Sequence, residues 1–420
     1  MKKPVFSFYL SFLAVCFLIA TASTPVSRAG SVQAPYQLAT WEGFRPAAIS
    51  YTFDDDCPNQ YNIAVPMFHA AGLKMTLFTV TTNTWVGSWT KVQTAASYGD
   101  EIASHTVTHA DLSLASATQE TNEVVNSQST INSYITNQSC LTIAYPNCNV
   151  PNNMTLVKQY YIAGRTCSAG LNNNSPFSFM TLAAYILGSN GTYITAASIN
   201  SLADSAVSPG SWCVYLIHAI DGDNGYSPLS SAALQGSVNY TSTNRSRFWV
   251  ETFGNVVRYM KERANSSVTE TTNTGNSITV QITDGLGDDS IYNYPITVRR
   301  PLPTNWAAAA VTQNGQPIAA QMVTLNSTNF VMFDAVPNGG DVVLTPSVLP
   351  FTLSNPTLTP PGSLTVQLNG QSNVSYALYS SPDLLNWLPL QTNTLASNSA
   401  IFKVDASSNA LQFYRAQWAP

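Results

Sequence analysis

With 420 residues and a formal net charge of −5, the chain has room for two or three domains. Its 17 Lys+Arg against 22 Asp+Glu argue against a nucleic acid or an anionic membrane as partner. Charged residues make up only 9% of the chain, so Ser, Thr, Asn and Gln supply much of the polar surface.

The first stretch places Lys2 and Lys3 before an apolar run at 5–20, with small residues at Ala20-Thr21-Ala22 and Ser27-Arg28-Ala29. That order reads as a cleaved signal peptide over 1–29. A membrane anchor is the rival reading, but the run is short and passes into Ser, Thr and Pro. No other stretch is apolar and long enough to span a bilayer, so the mature protein is expected to be secreted, periplasmic or at the cell surface. Cys57, Cys140, Cys148, Cys167 and Cys213 remain after cleavage, and their odd number leaves at least one unpaired in a compartment that permits disulfides.

From 45 to 265, short apolar runs at 47–53, 74–80, 101–104, 141–144, 161–165, 182–187 and 212–218 read as strands. Helical patterns at 60–71, 116–135 and 246–264 fall between or after them, the last with Phe253, Val256, Val257 and Met260 on one face. Alternation of this kind predicts an α/β fold, a parallel sheet with helical crossovers closing toward a barrel. The polar clusters Asp54-Asp55-Asp56, His105 with His109, Tyr145 to Cys148, Arg165 to Ser168 and His218 to Asp223 all follow a predicted strand. In α/β barrels that rim carries the chemistry. Parallel strands also put Cys57, Cys148 and Cys167 at one end of the sheet and Cys140 and Cys213 at the other. Cys148–Cys167 is the expected disulfide; a cysteine-ligated zinc site has no Cys-x-x-Cys spacing to support it.

Three adjacent carboxylates at the end of an apolar strand repel one another and are costly to desolvate unless a cation or hydrogen bonds compensate. Two of the four histidines, His105 and His109, stand four residues apart. One carboxylate with this pair makes a two-nitrogen, one-oxygen site for a divalent metal, with positions left for water.

Beyond 267 the texture changes. Residues 278–282 alternate, Asn314-Gly315 reads as a hairpin turn, and 330–333 and 342–344 read as strands, so 267–348 is expected to be a small β-sandwich. Pro346, Pro350, Pro356, Pro360 and Pro361 read as a linker. A C-terminal β module over 349–420 follows, with strands expected at 364–368, 376–379, 387–390, 401–404 and 412–416. These modules could bind glycan, attach the protein to a surface or act as spacers.

Taken together, the polar clusters resemble the polysaccharide deacetylase family, carbohydrate esterase family 4. Thr52-Phe53-Asp54-Asp55-Asp56 resembles its TFDDG motif, with Asp56 in the glycine place, and His105 to His109 resembles its second, histidine motif. Leu216-Ile217-His218 resembles its final leucine–histidine motif. Tyr145-Pro146-Asn147 resembles the third motif loosely, since Ala144 stands where an arginine is usual. The resemblance covers 45–265 and places the catalytic domain over 30–266.

The resemblance implies a distorted (β/α) barrel of about seven strands. It implies Asp54 as general base, His218 as general acid, and Asp55, His105 and His109 as ligands of a divalent metal, Zn2+ being the expected ion. A backbone N–H near Asn147 would face the oxyanion, with Tyr145 and Leu216 lining the substrate site. The implied substrate is an acetylated polysaccharide or oligosaccharide, carrying N- or O-acetyl groups. In place of the missing arginine, Arg165 at the end of the next strand is expected to reach Asp54. A non-catalytic carbohydrate-binding or cell-surface protein on the same scaffold, or a hydrolase of a different amide or ester bond, are the alternatives. Simpler roles are expected elsewhere: turn or cap residues at Asp56 and Asp111, a helix residue at His69, and loop shaping by Asp221 and Asp223. Trp85 and Trp89 either stack on sugar or pack.

Overall fold

In the computed structural model, residues 30–82, 88–360, 362–406 and 411–419 are described. The proposed signal peptide and Trp85 lie outside them. The first long strand, β1 (Ala47–Asp54), is buried at every position. That accounts for its unbroken apolar texture, since a strand covered on both faces has no solvent side to alternate with.

Around β1 the chain lays down β2 (Thr76–Thr79), β3 (Glu101–Ser104), β4 (Thr142–Ala144), β5 (Ala163–Arg165), β6 (Tyr185–Ile186) and β7 (Trp212–Ile217). They form a half-barrel of seven parallel strands in the order β5-β4-β3-β2-β1-β7-β6. β8 (Phe248–Val250) pairs in parallel with Ala47–Ile49 of β1. The helices are α1 (Val65–Ala71), α2 (Trp89–Ser97), α3 (Ala117–Tyr134), α4 (Met154–Tyr160), α5 (Ala196–Val207), α6 (Ser231–Thr243) and α7 (Phe253–Asn265).

Some predicted elements need correction. The helix expected at 246–264 begins only at Phe253, because Phe248-Trp249-Val250 is β-favouring and adds to the sheet. Thr252 then starts the helix by accepting a hydrogen bond from the Asn255 N–H at 3.3 Å. The segment at 60–71 opens as a π-turn over Gln60–Ala64 and becomes α-helical at Val65. Of 182–187, only Tyr185–Ile186 is a paired strand, while Leu182 makes a single bridge to Arg165. Helices α2, α4, α5 and α6 are absent from the sequence reading. α4 is only seven residues long, and the buried faces of α2, α5 and α6 mix Ala, Ser and Thr with few large apolar side chains, so the usual periodicity is faint.

The sandwich consists of a five-stranded sheet, from Ser267–Asn273 to Gln316–Ile318, and a four-stranded sheet. Asn314 and Gly315, at φ 49° and 74°, make the left-handed turn of the hairpin between Ala308–Gln313 and Gln316–Ile318. Its four-stranded sheet begins with Gln37–Leu38, drawn from ahead of the barrel and paired to Arg299 and Val298. One apolar layer runs from Trp212, Phe253, Val257 and Met260 of the barrel side into Val268, Ile296, Val298 and Phe333 of the sandwich.

The last region holds two three-stranded sheets around Leu368, Tyr376, Leu378 and Phe402. Here the linker reading of the prolines fails in part. Thr352–Thr359 is an edge strand whose register shifts between Ser354 and Thr357. Pro356 is tolerated there because an edge strand with a bulge can spare an N–H.

Candidate active site

β1 ends at Asp54, and the next two residues turn sharply, with Asp55 at φ 75° and Asp56 at φ 54°. Such left-handed backbone favours glycine, and Asp is among the residues that tolerate it best. The turn divides the three carboxylates. Asp54 points into the buried interior, Asp55 stays partly open to solvent, and Asp56 is buried on another side.

Asp56 is neither a helix cap nor a ligand candidate. Its Oδ1 accepts from the Tyr61 hydroxyl at 2.6 Å and its Oδ2 from the Val80 N–H at 2.8 Å. It thus ties the turn after β1 to the end of β2. Burial, offset only in part by these bonds, pushes its carboxyl up to about 7.

β3 delivers His105 directly after Ser104, and His109 follows on a turn with its own φ at 62°. The His105 Nδ1–H donates to the Ala144 carbonyl at the end of β4, 2.9 Å away. A carbonyl can only accept, so this bond fixes the tautomer and leaves the Nε2 lone pair facing the acids. His105 Nε2 lies 3.5 Å from Asp55 Oδ1 and 3.6 Å from Asp54 Oδ2, and His109 Nε2 lies 3.5 Å from the same Asp55 oxygen. Burial lowers His105 below the ordinary imidazole value in spite of Asp54 and Asp55, which keeps it neutral and able to ligate.

One oxygen of Asp55 and one nitrogen each of His105 and His109 all lie within 4.8 Å of one another. This donor set, with the Ala144 carbonyl holding the His105 ring in place from behind, fits a divalent metal with coordination positions to spare.

Asp54 stands beside this triad in a different setting. Arg165 Nη2, at the end of β5, donates to both its oxygens at 2.6 and 2.5 Å. Burial alone would push the Asp54 carboxyl up, but Arg165, His105 and His218 outweigh it and hold it below the usual carboxylate range. The guanidinium also lies over the Phe78 ring, 5.0 Å from its centre. Arginine therefore reaches Asp54 from β5, not from the Ala144 position on β4.

His218 follows β7, and its Nε2 is 4.0 Å from Asp55 Oδ2. Burial lowers it below the ordinary imidazole value, against the pull of Asp54 and Asp55. Gln60 ties the two strand ends together: its Nε2 donates to the backbone carbonyls of Asp54 at 2.5 Å and of His218 at 2.9 Å.

Asp54, Asp55, His105, His109, Tyr145, Asn147, Cys148, Arg165, Leu216 and His218 all line one cavity of about 400 Å³. Cys148 is joined to Cys167, with Cα atoms 5.3 Å apart, while Cys57, Cys140 and Cys213 are free and buried. The disulfide links the loop carrying Asn147, at φ 55°, to the segment just after Arg165. Tyr145 is buried in the cavity wall, and its hydroxyl donates to the Met180 carbonyl at 2.9 Å.

The sequence reading missed Gln60, Ile186 and Tyr226. Tyr226 lines the cavity, half exposed, with its ring edge-on to His218 at 4.9 Å. The only signal for it was its place in the polar loop after His218. Asp221 and Asp223 shape that loop, accepting from the Ser231 N–H at 2.8 Å and the Asn59 N–H at 3.1 Å. Asp111 forms a turn with Ser113, His69 stacks on Tyr98, and Trp89 stacks on Tyr134. Asp221, Asp223, Asp111, His69 and Trp89 do not line the cavity.

Residues 43–162 match the family model described as polysaccharide deacetylase. Over this stretch the chain is similar to the polysaccharide deacetylase family. The matched stretch includes Asp54, Asp55, His105, His109 and Asn147; Arg165 and His218 lie beyond it. A gellan lyase from Bacillus sp is 25% identical over 331 residues, which make up 74% of this chain and 13% of that protein.

Among solved structures, the Xyl-CE4 domain of a multidomain xylanase from the hindgut metagenome of Trinervitermes trinervoides is 19% identical, with a TM-score of 0.37. That match covers 50% of this chain and 88% of the other. A peptidoglycan deacetylase from Bacillus subtilis is 13% identical with a TM-score of 0.36, over 50% of this chain and 89% of that one.

Proposed function

We propose that this protein is an exported, divalent-metal-dependent hydrolase that removes acetyl groups from a glycan, with zinc as its metal. One observation carries the reading. A two-histidine, one-carboxylate donor set stands next to a second, arginine-held carboxylate in the same cavity. Asp55, His105 and His109 would hold the metal, which when bound supplies Lewis acidity toward an acetyl carbonyl and toward water.

The remaining groups divide the proton work. Asp54, kept ionised by Arg165, takes a proton from the water that attacks the acetyl carbonyl. The N–H of Asn147 is offered to the developing oxyanion. His218 returns a proton to the departing sugar nitrogen or oxygen. Its lowered pKa makes its protonated form a stronger acid than a free imidazolium.

Acetate release from acetylated chitooligosaccharides and from acetylxylan tests the proposal, measured with chelator and after zinc is restored. Release that chelator abolishes and zinc recovers is the expected result. Metal-loaded protein that frees acetate from neither substrate would overturn it. Export is tested separately, by N-terminal sequencing of protein recovered outside the cytoplasm, where a first residue in or just after 20–30 is expected.

A further inference from the structure

In the reaction proposed above, the departing sugar atom meets His218, so the sugar ring that carries it lies against whatever adjoins His218. Tyr226 adjoins it, the two rings standing at 77° with centres 4.9 Å apart. Tyr145 and Tyr226 both line the cavity, and they differ in what they offer a ligand. Tyr145 is buried with its hydroxyl engaged by the Met180 carbonyl, whereas Tyr226 keeps 51% of its surface exposed.

A half-exposed tyrosine is ordinary on a loose loop, but this loop grips Tyr226 from both sides. Before it, Gly225 packs so closely that a Cβ there would stand 2.5 Å from Cys57 Sγ and 3.0 Å from the Ala219 Cβ. After it, Ser227 is buried at φ 46°. The Ser227 hydroxyl donates to the Leu187 carbonyl at 3.2 Å and accepts from the Asn190 N–H at 3.2 Å. The Tyr226 carbonyl accepts from the Ala219 N–H at 3.3 Å, one residue past His218. Asn59 braces the loop further, its N–H donating to Asp223 Oδ2 at 3.1 Å and its Nδ2 to the Ile220 carbonyl at 2.9 Å. The backbone that carries the ring is thus tied to the ends of β6 and β7 before any ligand arrives, and stacking on a surface prepared in this way costs little further ordering.

Ile186 of β6 and Leu216 of β7 add apolar surface to the same cavity, beside the acids and histidines. A pyranose ring has the same division, with a face of C–H bonds and a rim of hydroxyls. We infer that Tyr226 is the platform for the sugar ring that bears the acetyl group, the C–H face of that sugar lying on the tyrosine while its acetyl group reaches the Asp55–His105–His109 donor set. This rests on the deacetylase reading and deepens it, because it makes the sugar ring, and not the acetyl group alone, part of what is recognised. Tyr226 binds and selects; it does not touch the reacting atoms.

The rival role is support of the His218 ring alone, and one set of measurements separates the two. Full-length, zinc-loaded protein is assayed for acetate release from acetylated chitooligosaccharides and acetylxylan, with kcat and KM resolved and kcat followed against pH. Deacetylated oligosaccharides, namely glucosamine oligomers and xylooligosaccharides, are titrated into the same protein by calorimetry. Tyr226→Ala should raise KM about 10-fold or more, weaken oligosaccharide binding by a similar factor and leave the shape of the pH profile in place. Tyr226→Phe keeps the ring face and should restore both KM and binding.

A Tyr226→Ala protein with wild-type KM and wild-type oligosaccharide binding overturns the platform. So does one whose kcat falls and whose pH profile shifts while oligosaccharide binding stays unchanged, the signature of a ring that only supports His218. Oligosaccharide binding is read without turnover, which keeps the two proposals apart. Binding that Tyr226→Ala weakens, in a protein that frees no acetate, upholds the platform and removes the deacetylase. Acetate release with binding and KM unmoved by Tyr226→Ala does the reverse.

Discussion

Arg165 and Asp54 are separated by 111 residues, yet one guanidinium nitrogen touches both oxygens of the carboxylate, at 2.6 and 2.5 Å. They belong to the edge strand β5 and the central strand β1, and meet across the interior of the half-barrel. Both are buried, so neither can relax into water if the other is removed. Arg165→Ala is expected to lower kcat about 100-fold or more through loss of the base's orientation, with metal content unchanged. It should also cost about 3–5 kcal/mol of stability from the stranded carboxylate. Arg165→Lys should recover charge but not geometry, and so only part of the rate. Wild-type kinetics in a folded Arg165→Ala protein would remove the positioning role.

Asp54 and Asp55 are adjacent in sequence but opposed in duty, and substitution can tell them apart. Asp54→Asn should keep its metal, measured by elemental analysis, and lose turnover. Asp55→Asn should lose metal and turnover together, because the donor set then keeps only its two imidazoles. Loss of metal from Asp54→Asn would mean that the two roles are exchanged.

How much of this was legible beforehand depends on what each residue had to announce. Asp54, Asp55, His105 and His109 declare themselves because polar groups at the ends of apolar strands have few other reasons to be there. Arg165 was visible only as the cation after the next strand, once Ala144 was seen to occupy the expected place. Gln60 and Tyr226 carry no such mark. Their contribution is a contact between loops distant in sequence, and an uncharged side chain in a polar stretch looks like any other. The same holds for α5 and α6, whose buried faces carry only two large apolar side chains each, Ile199 and Leu202, and Leu234 and Val238, among Ala, Ser and Thr. The proline-rich stretch misled for the opposite reason, since a strong local signal was overridden by an edge position that Pro356 can occupy.

Asp100 offers a pH test away from the metal site. It precedes β3, and its buried Oδ1 accepts from the Met75 N–H at 3.0 Å while its Oδ2 has no partner. Burial pushes its carboxyl up to about 7, and Lys74 offsets this only in part. The unfolded chain loses this proton near pH 4, and the folded protein holds it until about 7. Between those values the native state binds more protons, so its contribution to stability falls as pH rises, by at most about 4 kcal/mol in all. Asp100→Asn removes the ionisation. It should be more stable than wild type at pH 8, with the difference shrinking toward pH 4 in parallel denaturant titrations. A gap that does not vary with pH would show that Asp100 is not the group responsible.

Gly164 tests whether the cavity wall is as tightly built as it looks. A Cβ at this position would stand 2.0 Å from the Tyr145 hydroxyl and 3.0 Å from the Met180 carbonyl. Those two atoms are already hydrogen-bonded to each other at 2.9 Å. Gly164 immediately precedes Arg165 in β5, and the Tyr145 N–H donates to the Arg165 carbonyl at 3.1 Å, so the methyl group has no direction in which to yield cheaply. Gly164→Ala should cost about 1–3 kcal/mol, as overpacking does. It should also lower kcat more than it raises KM, because what moves is the support for Asp54 and not the sugar groove. Tyr145→Phe in the same background removes the hydroxyl but keeps the ring carbon that the methyl also meets, so it should recover only a small part of both losses. If Gly164→Ala alone is as stable and active as wild type, the contact between β5 and Tyr145 is not what holds Arg165 against Asp54.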